Sequence, residues 1–187
     1  NGVLLKNGID TVIVGKPNAG KSSLLNRLVG QEKAIVTDVA GTTRDVLKES
    51  ILLHGICLNL IDTAGIHETE DKVEKIGVDR AKDFAKDADL IVYVVDSSVS
   101  LDESDKEIIK LIQGKKTIIL LNKSDLADPK ANKLWMDYFK KQGAFVIEVN
   151  SRSGSGLKAI HNVVQEACKE KIERDRNRGI QKHSVKM

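Results

Sequence analysis

The chemistry of this chain is concentrated in one short stretch, Gly15-Lys16-Pro17-Asn18-Ala19-Gly20-Lys21-Ser22. Two glycines bracket four residues, and a lysine and a hydroxyl follow. Glycines let a backbone turn its N–H groups inward around an anion, and a lysine adds a point charge. The stretch lies between the β-branched run Thr11-Val12-Ile13-Val14 and a helical pattern over Ser22 to Val29. A loop between a strand and a helix start places phosphate oxygens on the helix dipole. Lys21 is then poised for the β- and γ-phosphates, and Ser22 for a Mg²⁺ ion on them. This predicts binding of a nucleoside triphosphate.

Asn122-Lys123-Ser124-Asp125 bears on the choice of base. It directly follows the apolar run Thr117 to Leu121. A carboxylate at Asp125 accepts from guanine N1–H and N2–H₂ together. Adenine lacks that donor pair and would leave the carboxylate unsatisfied. The Asn122 amide can bond the base or a neighbouring loop, and the Lys123 stem can cover the purine face. Asp62-Thr63-Ala64-Gly65 follows the run Ile56 to Ile61. Asp62 there can reach Mg²⁺ through water, and the Gly65 N–H can sense a γ-phosphate. Gly41-Thr42-Thr43-Arg44-Asp45 offers a threonine hydroxyl to Mg²⁺. Asn150-Ser151-Arg152 ends another strand, where a backbone N–H can meet guanine O6.

The residue after Gly65 is Ile66. Ras-like GTPases carry a glutamine there, which orients the attacking water. Isoleucine has no polar atom and cannot do this. Two substitutes stand in the sequence. Asn18 offers a hard amide oxygen that could hold a monovalent cation near the phosphates, in the electrostatic role of an arginine finger. An acidic residue after Gly65 (Glu68, Glu70, Asp71 or Glu74) could orient the water.

Strands and helices alternate along the chain to position these loops. Asp45 to Leu53 and Ile56 to Ile61 are separated only by His54-Gly55, which predicts a tight antiparallel hairpin. Asp71 to Asp87 has helical spacing. Leu90 to Val95 is wholly apolar, as a strand buried on both faces should be. Helix (Glu103 to Ile112), strand (Thr117 to Leu121), helix (Asn132 to Lys141), strand (Ala144 to Val149) and a helix from about Gly156 complete the series. The expected fold is α/β: six strands, mostly parallel with one antiparallel edge strand, and helices on both faces.

The chain has 187 residues, enough for one such domain. Expected boundaries are a linker over 1–7, the domain over 8–168, and a helix end with a basic tail over 169–187. That last segment holds seven Lys and Arg against three Asp and Glu, more than the whole net charge of +3. The rest is slightly acidic, and aromatics are only 3%, so a nucleic-acid surface is not expected. No run of about 18 apolar residues could span a membrane, and Asn1 to Lys6 lack an export-type hydrophobic region. Cys57 and Cys168 fall in apolar patterns and are expected as buried free thiols, which suits a reducing cytoplasmic setting.

With these motifs in order, the chain resembles the translation-factor-related class of Ras-like P-loop GTPases. Within it, the chain is similar to the G domain of the MnmE (TrmE) family of tRNA-modification GTPases. The resemblance rests on residues 15–26, 34–46 and 61–69, continues through Val73-Glu74-Lys75-Ile76-Gly77, and covers about 8–168. It implies a potassium-activated GTPase whose G domains dimerise face to face, in a protein that modifies the tRNA wobble uridine with a partner. Asn18 would be a K⁺ ligand, with carbonyls of Thr37, Val39 and Thr42. Ser22 and Thr43 would hold Mg²⁺. Glu74 would orient the water, with Lys21 and Asn18 completing the catalytic set. Nucleotide contacts would come from Asn18, Ala19, Gly20, Lys21, Ser22 and Ser23, and from Thr37, Asp38, Val39, Ala40, Gly41, Thr42 and Thr43. Asp62, Thr63, Ala64, Gly65, Asn122, Lys123, Asp125, Asn150, Ser151 and Arg152 would supply the rest.

The family pattern has Ser-Ala where this chain has Asn150-Ser151. The family's folate-binding domain, helical domain and C-terminal cysteine motif are not found here, so an isolated G domain is expected, hydrolysing GTP without modifying tRNA. Two other readings of the motifs are a nucleotide-gated switch with negligible hydrolysis and a ribosome-assembly GTPase of the Der or Era type.

Overall fold

The computed structural model describes residues 8–31, 48–61 and 83–184. Among these residues six strands form one sheet in the order β2-β3-β1-β4-β5-β6. They are β1 (Ile9–Val14), β2 (Lys48–Leu53), β3 (Ile56–Ile61), β4 (Leu90–Asp96), β5 (Thr117–Asn122) and β6 (Phe145–Glu148). Among the described strands only β2 runs antiparallel to its neighbour, with Leu53 opposite Ile56 across the His54-Gly55 turn. His54 and Gly55 both have positive φ, +46° and +86°, as a two-residue hairpin turn requires. The expected sheet is therefore the observed one.

The alternation of side chains along the central strands explains the layers. On β4, Leu90, Val92 and Val94 join one core cluster, while Ile91, Tyr93 and Val95 join the other. On β5, Ile118 and Leu120 face the first layer, and Ile119 and Leu121 the second. Both sides of these strands are buried, which is why they read as continuous apolar runs. Helices α1 (Lys21–Gln31) and α4 (Lys158–Ala167) cover the first side through Leu24, Leu25, Ile160 and Val164. Helices α2 (Glu103–Ile112) and α3 (Pro129–Lys141) cover the second through Ile108, Ile112 and Phe139.

Local capping sets two helix starts. Asp102 and Asp105 form a reciprocal capping box that begins α2 at Glu103. Asp128 caps α3 with Pro129 behind it, so that helix starts three residues before the expected Asn132. The last helix is two helices. Cys168 leaves helical geometry at φ −108° and ψ 16°, and α5 (Lys169–Ser184) follows. The apolar stripe passes unbroken from Val164 through Cys168 to Ile172, so its period carries no sign of the interruption. Lys171 of α5 pairs with Asp89, which also accepts the Asp10 N–H at 2.9 Å. Cys57 and Cys168 are free and buried, and burial foremost pushes both thiols above their ordinary pKa. Of the helix expected over 71–87, residues 83–87 are helical and the others lie outside the described residues.

The chain crosses from one side of β1 to the other between β3 and β4. Open α/β sheets bind ligands at such a reversal, beyond the carboxyl ends of the strands. β1, β4, β5 and β6 all deliver their carboxyl ends to that edge.

Candidate functional site

The loop between β1 and α1 is closed by its surroundings. A Cβ on Gly20 would stand 2.1 Å from Asn122 Nδ2, and its φ is +101°. A Cβ on Gly15 would stand 2.5 Å from the Val94 carbonyl. Only glycine fits at either position, because the loop is pressed against β4 and β5. The first intrahelical bond of α1 runs from Leu24 N–H to Gly20 O at 2.9 Å. The amides of Lys21 and Ser23 thus stand at a helix start, where an anion is the natural partner.

The Lys21 ammonium donates to the carbonyls of Gly15 and Lys16, each at 2.7 Å. These are neutral acceptors, and burial lowers the Lys21 pKa to about 8. A charge held among dipoles, with no counter-charge among the described residues, is suited to a phosphate. Ser22, the next residue in the first turn of α1, brings a hard hydroxyl donor of the kind Mg²⁺ takes beside a phosphate. Asn18 lies on the exposed side of the loop in left-handed geometry, φ +62°.

Two further loops meet this one. Asn122 is 1% exposed and ends β5. Its Nδ2 donates to Ala19 O at 2.7 Å, and its Oδ1 accepts the Ser151 N–H at 2.9 Å. Asn122 therefore bonds neighbouring loops, one of the two options its sequence position left open. Lys123 is also left-handed, φ +57°, a costly state for a long side chain. Its ammonium pairs with Asp96 Oδ2 at 2.5 Å and donates to Asn18 O at 3.2 Å. Burial works to raise the Asp96 pKa, but bonds from Lys123 and Ser98 outweigh it and hold the carboxyl below its ordinary value.

Asp125 is exposed and accepts the Asn150 Nδ2–H at 2.7 Å. Asn150 Oδ1 accepts the N–H groups of Arg152 and Ser153, each at 2.9 Å. The backbone N–H groups of Ser151 and Arg152 thus both have partners inside the protein. Arg27 of α1 ties in the same loop through the Arg152 carbonyl at 2.5 Å.

The structure thus gathers Asn18, Ala19, Gly20, Lys21, Asn122, Lys123, Asp125, Asn150, Ser151 and Arg152 at one sheet edge. Thr37, Asp38, Val39, Ala40, Gly41, Thr42, Thr43, Arg44, Asp62, Thr63, Ala64, Gly65 and Glu74 lie outside the described residues.

Residues 10–123, more than half the chain, match the family of 50S ribosome-binding GTPases. The chain belongs to this GTPase family. It binds and hydrolyses GTP. The GTPase is 61% identical over 126 residues to the tRNA modification GTPase MnmE of Lachnoclostridium phytofermentans, covering 67% of this chain and 28% of that protein. It is 47% identical over 165 residues to the MnmE of Acetivibrio thermocellus, covering 88% of this chain and 36% of that protein. It thus spans about a third of the length of these relatives. Among solved structures, it is similar to a variant of Era from Aquifex aeolicus bound to GDP and AlF₄⁻. The TM-score is 0.62 and the identity 28%, over 86% of this chain and 57% of that one. The fold is that of the Ras-like GTPases. No helix among the described residues is long and apolar enough to cross a membrane.

Sequence reasoning missed Asp96 in this GTPase. Its signal was an acidic residue closing an apolar strand, the same signal that drew attention to Asp62. It also missed Lys16 and Asp105, because the phosphate-loop pattern leaves position 16 unspecified.

Proposed function

We propose that this domain hydrolyses GTP in a potassium-activated manner, with two G domains pairing face to face in the transition state. We further propose that it serves a longer protein that modifies the tRNA wobble uridine. The observation that carries the reading is Asn18. Its left-handed backbone turns its carbonyl to Lys123, and its side chain stays exposed at the phosphate loop. The identity with two MnmE proteins supports the same assignment.

The residues perform these steps. Backbone amides at the start of α1 and the Lys21 ammonium receive the phosphates. Water adds to the γ-phosphorus as the bond to the β–γ bridging oxygen breaks, giving GDP and phosphate. Lys21 stabilises the charge that builds on the leaving group. Ile66 cannot orient the water, and Glu74 takes that role. Asp125 reads guanine, held in place by Asn150.

Ser22 and Thr43 would hold Mg²⁺, which neutralises phosphate charge. The Asn18 amide oxygen would hold K⁺, with carbonyls of Thr37, Val39 and Thr42, and that cation supplies positive charge to the transition state. The fit rests on donor chemistry: a neutral hydroxyl for Mg²⁺ and neutral amide oxygens for K⁺. The partners are GTP or GDP, a second copy of the domain, and the rest of the longer protein. No nucleic acid binds this segment directly.

Hydrolysis in KCl against NaCl at equal ionic strength tests the reading. The rate should rise at least about ten-fold in KCl, and Asn18→Ala should remove that gain. Equal rates in both salts would overturn the potassium assignment. Sedimentation with GDP and AlF₄⁻ in KCl should give a dimer, and a monomer there would overturn the pairing.

A further inference from the structure

We propose that Lys16 is a positioning residue for nucleotide binding, a strut that braces the phosphate loop against α2 through the buried carboxylate of Asp105. The proposal rests on the reading of Lys21 as the phosphate lysine.

The Lys16 ammonium lies 2.6 Å from Asp105 Oδ2 and 3.0 Å from Asp102 Oδ2. Its side chain is only 17% exposed. Asp105 is 1% exposed and carries three further constraints. Its Oδ1 accepts the hydroxyl of Tyr93, itself fully buried, at 2.8 Å. Its Oδ2 accepts the Asp102 N–H at 3.0 Å. Its own N–H donates to Asp102 Oδ1 at 3.2 Å. The carboxylate is therefore fixed by β4 on one side and by the α2 cap on the other.

A buried carboxylate needs a cation, and among the described residues Lys16 supplies it. The consequence for the loop lies in the backbone of the same residue. The Lys16 carbonyl accepts the Lys21 ammonium at 2.7 Å and the Ala19 N–H at 3.2 Å. One residue thus anchors its side chain on α2 and aims its carbonyl at the phosphate lysine. Pro17, next along, has a fixed φ and passes the constraint on. Burial alone would lower the Lys16 pKa, but the bonds to Asp105 and Asp102 outweigh it and raise it. The ammonium accordingly stays charged across the physiological range, and the strut persists. The phosphate-loop pattern asks nothing of position 16, so this brace is a property of this chain's own residues.

The test compares Lys16→Met, Lys16→Arg, Asp105→Asn and the double variant Lys16→Met with Asp105→Asn. The single Lys16→Met leaves a buried charge without its partner and can lose stability for that reason alone. The double variant removes both charges and keeps the aliphatic stem, so it separates folding from positioning. Fluorescent GDP and GTP titrations and steady-state hydrolysis in Mg²⁺ buffer are the readouts. The double variant and Asp105→Asn should bind both nucleotides roughly ten- to a hundred-fold more weakly, with KM raised and kcat little changed. Lys16→Arg should retain most of the affinity. Wild-type KM in the double variant would overturn the proposal. So would wild-type KM in Asp105→Asn with a loss in Lys16→Met, because Lys16 would then act on the nucleotide directly. Lys21→Ala serves as the control: undiminished affinity there would overturn the phosphate-lysine reading itself, whatever Lys16 does.

Discussion

Asn122 donates its amide to the Ala19 carbonyl at 2.7 Å, across 103 residues of sequence. Through that one bond the end of β5 grips the phosphate loop. The other end of the same amide holds the Ser151 N–H. Three loops proposed to contact the nucleotide are thus joined by one buried side chain. The geometry at Gly20 follows from it, since the Asn122 amide occupies the space a Cβ would need.

Asn122→Ala strands a buried carbonyl and a buried N–H, each costing about 1–3 kcal/mol. The variant should lose roughly 2–4 kcal/mol of stability in urea unfolding, and GTP affinity should fall with it. Asn122→Asp should be worse at neutral pH, because it trades the donor to Ala19 for a charge in a site 1% exposed. Unfolding midpoints within error of wild type would contradict the bridging role.

The Lys21 pKa of about 8 makes a pH prediction with a definite sign. Burial depresses it below the ordinary lysine value of 10.5. The charged form therefore destabilises the nucleotide-free fold below pH 8, and that cost is relieved as pH rises from about 8 to 10.5. The relief amounts to about 3 kcal/mol for a shift of this size. A bound phosphate holds the proton on Lys21, so GDP binding should take up a proton in this range. Calorimetry in buffers of different ionisation enthalpy should find uptake rising from about a quarter of a proton at pH 7.5 to about three-quarters at pH 8.5. Zero uptake at both values would contradict the lowered pKa.

The fold was legible because its signals are local and strong. Apolar runs such as Leu90 to Val95 and the His54-Gly55 turn give strand identity and one strand direction. The order of the strands is not contained in those local signals. What stayed hidden is long-range. Nothing near Lys16 in sequence points to Asp105, and nothing near Lys123 points to Asp96. Those pairs exist only because β4 and α2 bring their ends beside the phosphate loop. The break at Cys168 was hidden for the opposite reason: the local pattern continues smoothly through it, and no glycine or proline marks the interruption. The residues proposed to read the base fall between these cases. Asp125 was legible from its motif, but Asn150 as its support was not, since the bond joins two loops 25 residues apart.

That support leads to a prediction about base choice. Asn150 Oδ1 is committed to the N–H groups of Arg152 and Ser153, so its Nδ2 must face Asp125. The carboxylate is thereby oriented, with lone pairs left for two guanine donors. Asp125→Asn replaces one acceptor by a donor, which suits the C2 carbonyl of xanthine. GTP affinity should drop roughly a hundred-fold, with xanthosine triphosphate gaining over wild type. Asn150→Ala keeps the carboxylate and removes its orienting bond; the two bonds that Asn150 Oδ1 accepts from the Arg152 and Ser153 N–H groups go with it and are read separately as a loss of loop stability. GTP should then weaken by about five-fold with guanine still preferred, the size of one lost hydrogen bond of about 1 kcal/mol. Competition titrations with GTP, ATP and xanthosine triphosphate read both variants. An Asp125→Asn variant that keeps wild-type GTP affinity would contradict guanine reading. A full loss of guanine preference in Asn150→Ala would mean that Asn150, not Asp125, carries the specificity.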